Sequence, residues 1–175
     1  GFLAGSGPRL AAARLTPVLS SLPQIEAATT FAAASGHALN VALQVDTGMN
    51  RQGLTLAEAQ AVAQSDRLRG LDLSLIMSHL GSATDPNDLR NQLQLGRFTQ
   101  VQKLFPGVRA SFAASAGIML GPDYRNDLIR PGISLYGGGP EERPDPRLRA
   151  VAKFEAPILY IRNVEPGEMI GYGSN

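Results

Sequence analysis

Residues 41–53 read VALQVDTGMNRQG, an apolar run that breaks without transition into Asp46, Thr47, Gly48, Asn50 and Arg51. Asp, Thr, Gly and Asn all favour caps and turns over helix interiors. The second half is therefore a loop, and the first half, Val41 to Val45, a buried strand that ends where polar groups are placed. The arrangement recurs along the chain. Leu71 to Met77 runs into Ser78 and His79, and Arg109 to Ala113 into Ser115. A further strand over Leu128 to Tyr136 carries Arg130, Pro131 and Gly132. Weaker strand patterns cover Phe2 to Ala4 and Leu15 to Leu19.

Between these runs, LPQIEAATTFAAAS (22–35), LTLAEAQAVAQSD (54–66) and DPNDLRNQLQLGRFTQVQKLF (85–105) carry helix formers with apolar residues three and four apart. Asp85 before Pro86 reads as the cap and first turn of the last helix. Strand and helix alternating at this spacing predict βαβ units and a parallel sheet. After Gly137 the composition changes to GGGPEERPDPRLR, too rich in breakers for an element. Beyond it, FEAPILYIRNVEPGEMIGYG reads as two strands around a Pro-Gly turn. The expected organisation is an α/β barrel-type domain over 1–139, a linker over 140–150 and the beginning of a β-rich domain over 151–175.

The 175 residues, 43% hydrophobic and 18% charged, suffice for the core of one ordinary domain. Net charge is +1, and no basic stripe with interleaved aromatics offers a surface to nucleic acid. With no cysteine, disulfides and thiolate metal sites are excluded. No apolar run approaches the ~20 residues that span a bilayer, and the first ten residues lack the features of a signal peptide. Both ends read as cut, the chain starting within one strand end and stopping as another finishes.

In a parallel barrel the carboxyl ends of the strands share one face, which holds the active site. Four polar clusters at four such ends would converge there. SAG at 115–117 and PGI at 131–133 offer small residues and backbone N–H groups suited to phosphate. Arg51 and Arg130 add two permanent positive charges for carboxylate or phosphate oxygens, with His79 a titrating group between them. No paired carboxylates, HExxH, GxSxG or P-loop is present, so hydrolase and nucleotide-transfer chemistry have no support. Taken singly the residues are weak signals. His37 is expected at the surface, Asp46 as a turn cap, and Tyr136 in the core with its hydroxyl as a polar handle.

The segments LQVDTGMNRQG, IMSHLGSA, FAASAGI, DLIRPGISLYGG and GEMIGYG stand in the order and at about the separations seen in alanine racemases. The resemblance covers nearly the whole chain, and DTGMNR and RPGISLYG are its specific motifs. It implies a bacterial, cytoplasmic, pyridoxal-phosphate-dependent isomerase that interconverts L- and D-alanine for peptidoglycan. The fold implied is an amino-terminal (β/α)8 barrel and a carboxyl-terminal β domain, in a head-to-tail homodimer. This chain would supply about strands 3 to 8 of the barrel.

By resemblance, Arg130 is the arginine on the cofactor's pyridine nitrogen, which a guanidinium cannot protonate. Ser115 with the N–H groups of Gly132 and Ile133 corresponds to the phosphate site. Arg51 corresponds to the arginine near the phenolic oxygen and substrate carboxylate, His79 to the histidine between Arg130 and the catalytic tyrosine, and Tyr172 to that tyrosine, which reaches into the partner's site. With a free pKa of ~10, a tyrosine needs nearby positive charge to act as a base.

The departures from the family pattern are specific. The family's Schiff-base lysine lies in an early strand, whereas this chain has only Lys103, in a helix pattern, and Lys153, after the linker. Gln44 stands where some members carry a carbamylated lysine, and Ala114 where an Asn often precedes the serine. The isolated chain is accordingly expected to be inactive. Two alternatives remain: a non-catalytic module holding a phosphorylated ligand, or a related pyridoxal-phosphate barrel such as an amino-acid decarboxylase.

Overall fold

The computed structural model describes residues 1–139 and 143–170. Strands β1 (Val18–Leu19), β2 (Leu39–Gln44), β3 (Leu71–Met77) and β4 (Arg109–Ser111) form one parallel sheet in chain order. Helix α1 (Gly7–Ala12) precedes them, α2 (Leu22–Ser35), α3 (Leu56–Ala63) and α4 (Arg90–Leu104) make the three crossovers, and α5 (Ser115–Met119) follows β4. Strand order that never reverses, with one helix per step, is the wall of a (β/α) barrel; a doubly wound sheet reverses at a switch point. The chain thus forms a partial barrel. Among the described residues no helix is long and apolar enough to cross a membrane.

Local chemistry sets the helix limits. α2 has Pro23 in its first turn, where a missing N–H costs nothing, and stops at Gly36, whose φ of 68° is a left-handed cap. α3 starts with a reciprocal capping box: Thr55 Oγ1 accepts the Glu58 N–H at 3.2 Å, and Glu58 Oε2 accepts the Thr55 N–H at 2.8 Å. β2 is buried on both faces, as expected of an inner strand under helices. Its pairing with β3 runs from Leu39 opposite Leu71 to Gln44 opposite Met77, with one irregularity at Val41/Ala42. The core joins Leu19, Val41, Leu43 and Ile76 of the sheet to Ile25, Val62, Phe98 and Val101 of the helices. Phe98 stacks on Phe112 with centroids 4.7 Å apart.

Several expectations are corrected. The Leu128 to Tyr136 strand does not form. Arg130 makes a single parallel bridge to Ala114, and Ile133–Tyr136 is a 3-10 turn that leaves Tyr136 63% exposed instead of in the core. Pro131 has no N–H to give a ladder, and the Asp127 carboxylate occupies the Ala110 N–H that a strand carbonyl would take. Phe2 to Ala4 is not a strand; Phe2 is buried, 6.2 Å from the ring of Phe31. α4 begins at Arg90, four residues later than a cap at Asp85 would give, because Asp85 and Asp88 cap local turns by accepting the N–H groups of Asn87 and Arg90. Over 151–170 the Pro166-Gly167 turn forms, closed by Glu168 N to Glu165 O at 3.0 Å, but no strand is assigned on either side of it. Phe154, Ile158, Leu159 and Tyr160 there are exposed, and strands without neighbours are not stable in water.

Candidate functional site

The loop after β2 is shaped by Asp46. Its Oδ1 accepts the N–H groups of Gly48, Met49 and Asn50 at 2.8, 3.0 and 3.1 Å, so the turn-cap reading of Asp46 holds. The base of the loop is closed by Asp46 N to Leu54 O (2.8 Å) and Leu54 N to Gln44 O (2.9 Å). Gly53 is required there: its φ is 121°, and a Cβ would sit 2.6 Å from the Asp46 nitrogen. The closed loop displays Arg51 as an exposed side chain.

Arg130 is half-buried and held on several sides. Its Nη1 donates to Ser111 Oγ, and its Nη2 donates to Ser78 O at 2.6 Å and Phe112 O at 3.4 Å. Nη2 also lies 3.4 Å from His79 Nδ1. A guanidinium has only donors, so this contact requires an unprotonated Nδ1, and the neutral ring then carries its proton on Nε2. Burial lowers the His79 pKa, and the positive charges of Arg130 and Arg51 lower it further. Three residues from three different segments, Arg51, His79 and Arg130, thus share one electrostatic environment at the carboxyl ends of the strands. Desolvation also lowers the Arg130 pKa, without bringing a guanidinium near neutrality.

Ser115 opens α5 and is buried. Its Oγ accepts the N–H groups of Gly132 at 2.8 Å and Ser134 at 3.3 Å. Ile133, whose N–H is expected beside Ser115 at a phosphate site, stands at the start of the 3-10 turn with its side chain 58% exposed. With two N–H groups on its lone pairs, the Ser115 hydroxyl has its own proton left to donate. A cavity of about 610 Å³ opens beside it, lined by Thr84, Ala116, Ile133, Gly137, Arg143 and Pro144. Arg130 and His79 do not line that cavity. Tyr172 lies outside the described residues. His37 is exposed, as expected.

Sequence reasoning missed the residues behind the site. Ser111 orients Arg130, while Gln94 and Arg97 of α4 hold the Arg51 and His79 loops. A signal for Gln94 existed. The buried positions of α4 are Asn91, Gln94, Phe98 and Val101, a helical stripe in which two polar residues occupy apolar places. Neither lysine joins the site. α4 runs antiparallel to the strands, so Lys103 in its last turn lies toward the amino end of β4, and Lys153 pairs with Glu155 in the exposed segment beyond the linker.

Comparison with known proteins agrees with the fold. The family model "Alanine racemase, N-terminal domain" matches residues 1–140. An alanine racemase of Methylobacterium sp. (strain 4-46) is 42% identical over 174 residues, which is 99% of this chain and 48% of that protein. The biosynthetic alanine racemase of Agrobacterium fabrum is 44% identical over 163 residues, covering 92% of this chain and 41% of its own. Among solved structures, alanine racemase from Bartonella henselae with covalently bound pyridoxal phosphate superposes with a TM-score of 0.80 at 34% identity, over 86% of this chain and 44% of that one. The biosynthetic enzyme from Pseudomonas aeruginosa gives 0.81 at 31% identity, over 99% and 49%. The chain spans about half the length of the curated relatives it matches. With the family model matched over residues 1–140, this chain belongs to the alanine racemase N-terminal domain family.

Proposed function

We propose that this chain is the cofactor-holding part of an alanine racemase, a pyridoxal 5'-phosphate enzyme that interconverts L- and D-alanine. The full protein would act in the cytoplasm as a homodimer. We divide the chain into a barrel portion over 1–139, a linker over 140–150 and the start of a β domain over 151–175, a division that the family match over residues 1–140 supports. The observation that carries the functional reading is the Arg130 to His79 contact, a donor-only guanidinium fixed against a neutral imidazole beside the strand ends.

The residues present fit the cofactor. Ser115, saturated as an acceptor, keeps a proton for a phosphate oxygen, with the Gly132 and Ile133 backbone beside it. Arg130 would present an N–H to the pyridine nitrogen and, never losing its proton, would hold that nitrogen unprotonated. Arg51 would attract the substrate carboxylate. When bound, the cofactor supplies an electron sink for the pair left at the alanine Cα when its proton departs. Tyr172 of the partner subunit would hold the proton on one face, its pKa of ~10 lowered by the positive charge of Arg130 acting through His79. The base for the other face is a lysine this chain does not place at the site.

The test is titration of the 175-residue chain with pyridoxal 5'-phosphate, followed by a chiral assay with L-alanine. The expected result is reversible binding, weakened about tenfold by Ser115→Ala through loss of a charge-assisted hydrogen bond, and no D-alanine. Racemisation by the chain alone, or binding indifferent to Ser115→Ala, would overturn the reading. The Ser115 cradle by itself also suits one alternative, a module for a phosphorylated ligand, for which inorganic phosphate would compete and alanine would have no effect.

A further inference from the structure

The loops that carry Arg51 and His79 leave different strands, and β2–β3 pairing ends at Gln44 and Met77. Past that point the two loops are joined through α4. Gln94, 3% exposed, donates from Nε2 to His79 O at 3.0 Å and to Thr47 Oγ1 at 3.2 Å, and its Oε1 accepts the Gly81 N–H at 2.9 Å. One turn later Arg97 Nη1 donates to Thr47 O at 3.1 Å, and Thr47 Oγ1 meets Ser78 Oγ at 2.8 Å. Burying an amide next to Phe98 and Val101 in the buried stripe of α4 costs free energy unless every polar atom is matched. Here both the donor group and the acceptor are matched, and all the partners belong to the two site loops. The successive carbonyls of Ser78 and His79 are held from different sides, the first by Arg130 and the second by Gln94. The direction of the His79 ring therefore depends on both.

We propose that Gln94 is a positioning residue that registers the Arg51 loop against His79, so that the two loops present their charged groups as one unit. The inference rests on Arg51 and His79 being site groups, as in the function proposed above, but its test needs neither cofactor nor turnover. The charges facing His79 are Arg130 and Arg51. Of the other charged groups on the packed elements, Arg97 of α4 is committed to Thr47 O and Asp46 to the loop backbone.

The chain has two histidines, so imidazole NMR between pH 5 and 8 resolves His79 with His37 as an internal reference. In Gln94→Met, which keeps the length of the side chain, the Arg51 loop relaxes away and the His79 titration moves upward toward the ordinary ~6.5, while His37 stays in place. Exchange of the Gly81 amide accelerates about tenfold with loss of its acceptor. Thr47→Val, which removes the link but leaves the helix intact, moves His79 in the same direction by less. A folded Gln94→Met chain in which His79 titrates as in the unsubstituted protein would overturn the proposal. Should that variant not fold, an unmoved His79 in Thr47→Val overturns it equally. Failure of pyridoxal-phosphate binding would leave both readings of this experiment intact.

Discussion

Removing the Asp46 carboxylate tests whether the loop after β2 is held by one side chain. Oδ1 receives three backbone N–H groups at 2.8, 3.0 and 3.1 Å; those of Gly48 and Asn50 are exposed and that of Met49 is partly buried. Exposed N–H groups can turn to water, so each of those two bonds contributes about 0.5 kcal/mol, while the partly buried one contributes about 1.5 kcal/mol. Asp46→Ala should therefore destabilise the chain by about 2.5 kcal/mol, a large share of a typical total stability of about 5–15 kcal/mol. Asp46→Asn keeps an oxygen acceptor in the same place and loses only the charge, so its cost should be about 1 kcal/mol. Urea unfolding followed by far-UV circular dichroism measures both, since the chain has no tryptophan to report by fluorescence. Equal costs for Ala and Asn, or a cost below about 0.5 kcal/mol for Ala, would show that the loop is held by its Gln44 to Leu54 closure, and that the Asp46 argument is wrong.

Two further outcomes follow from the core and from His79. Phe98→Ala removes a fully buried ring stacked 4.7 Å from Phe112 and should cost about 3–5 kcal/mol in the same unfolding assay; a cost under about 1 kcal/mol would mean that α4 is not seated on the sheet. Because His79 has a lowered pKa when folded, the unfolded chain binds its proton first on acidification. Stability should thus fall as pH drops from about 6.5 through the folded value, and should be unaffected by this group above that range. His79→Gln should flatten the slope in that window, and an unchanged slope would remove His79 as its cause.

How far the fold could be read in advance differs by element. α2 was legible to the residue because its limits are local: Pro23 at one end, a left-handed Gly36 at the other, and good helix formers between. β2 and β3 were legible because each carries a short apolar run, Val41 to Leu43 and Leu75 to Met77, that ends at once in a polar loop. The site was legible as separate polar clusters after each strand, with Arg51, His79, Ser115 and Arg130 each found where a strand ends or a bridge forms. The start of α4 was misread because Asp85 and Asp88 can cap either a helix or a turn, and a local pattern does not distinguish the two.

The sequence by itself determined the alternation of strand and helix, the parallel class that follows from it, and the residue types at the strand ends, since these depend on periodicity and on the conformational preferences of single residues. Only the tertiary structure decided that residues 128–136 make one bridge and a 3-10 turn, that Arg130 faces His79, and that Gln94 and Arg97 hold two loops together. Those outcomes depend on which donor meets which acceptor across separations of 15 to 52 residues. Such pairings are settled by packing α4 and the last segment against the sheet, which neither periodicity nor single-residue preference specifies.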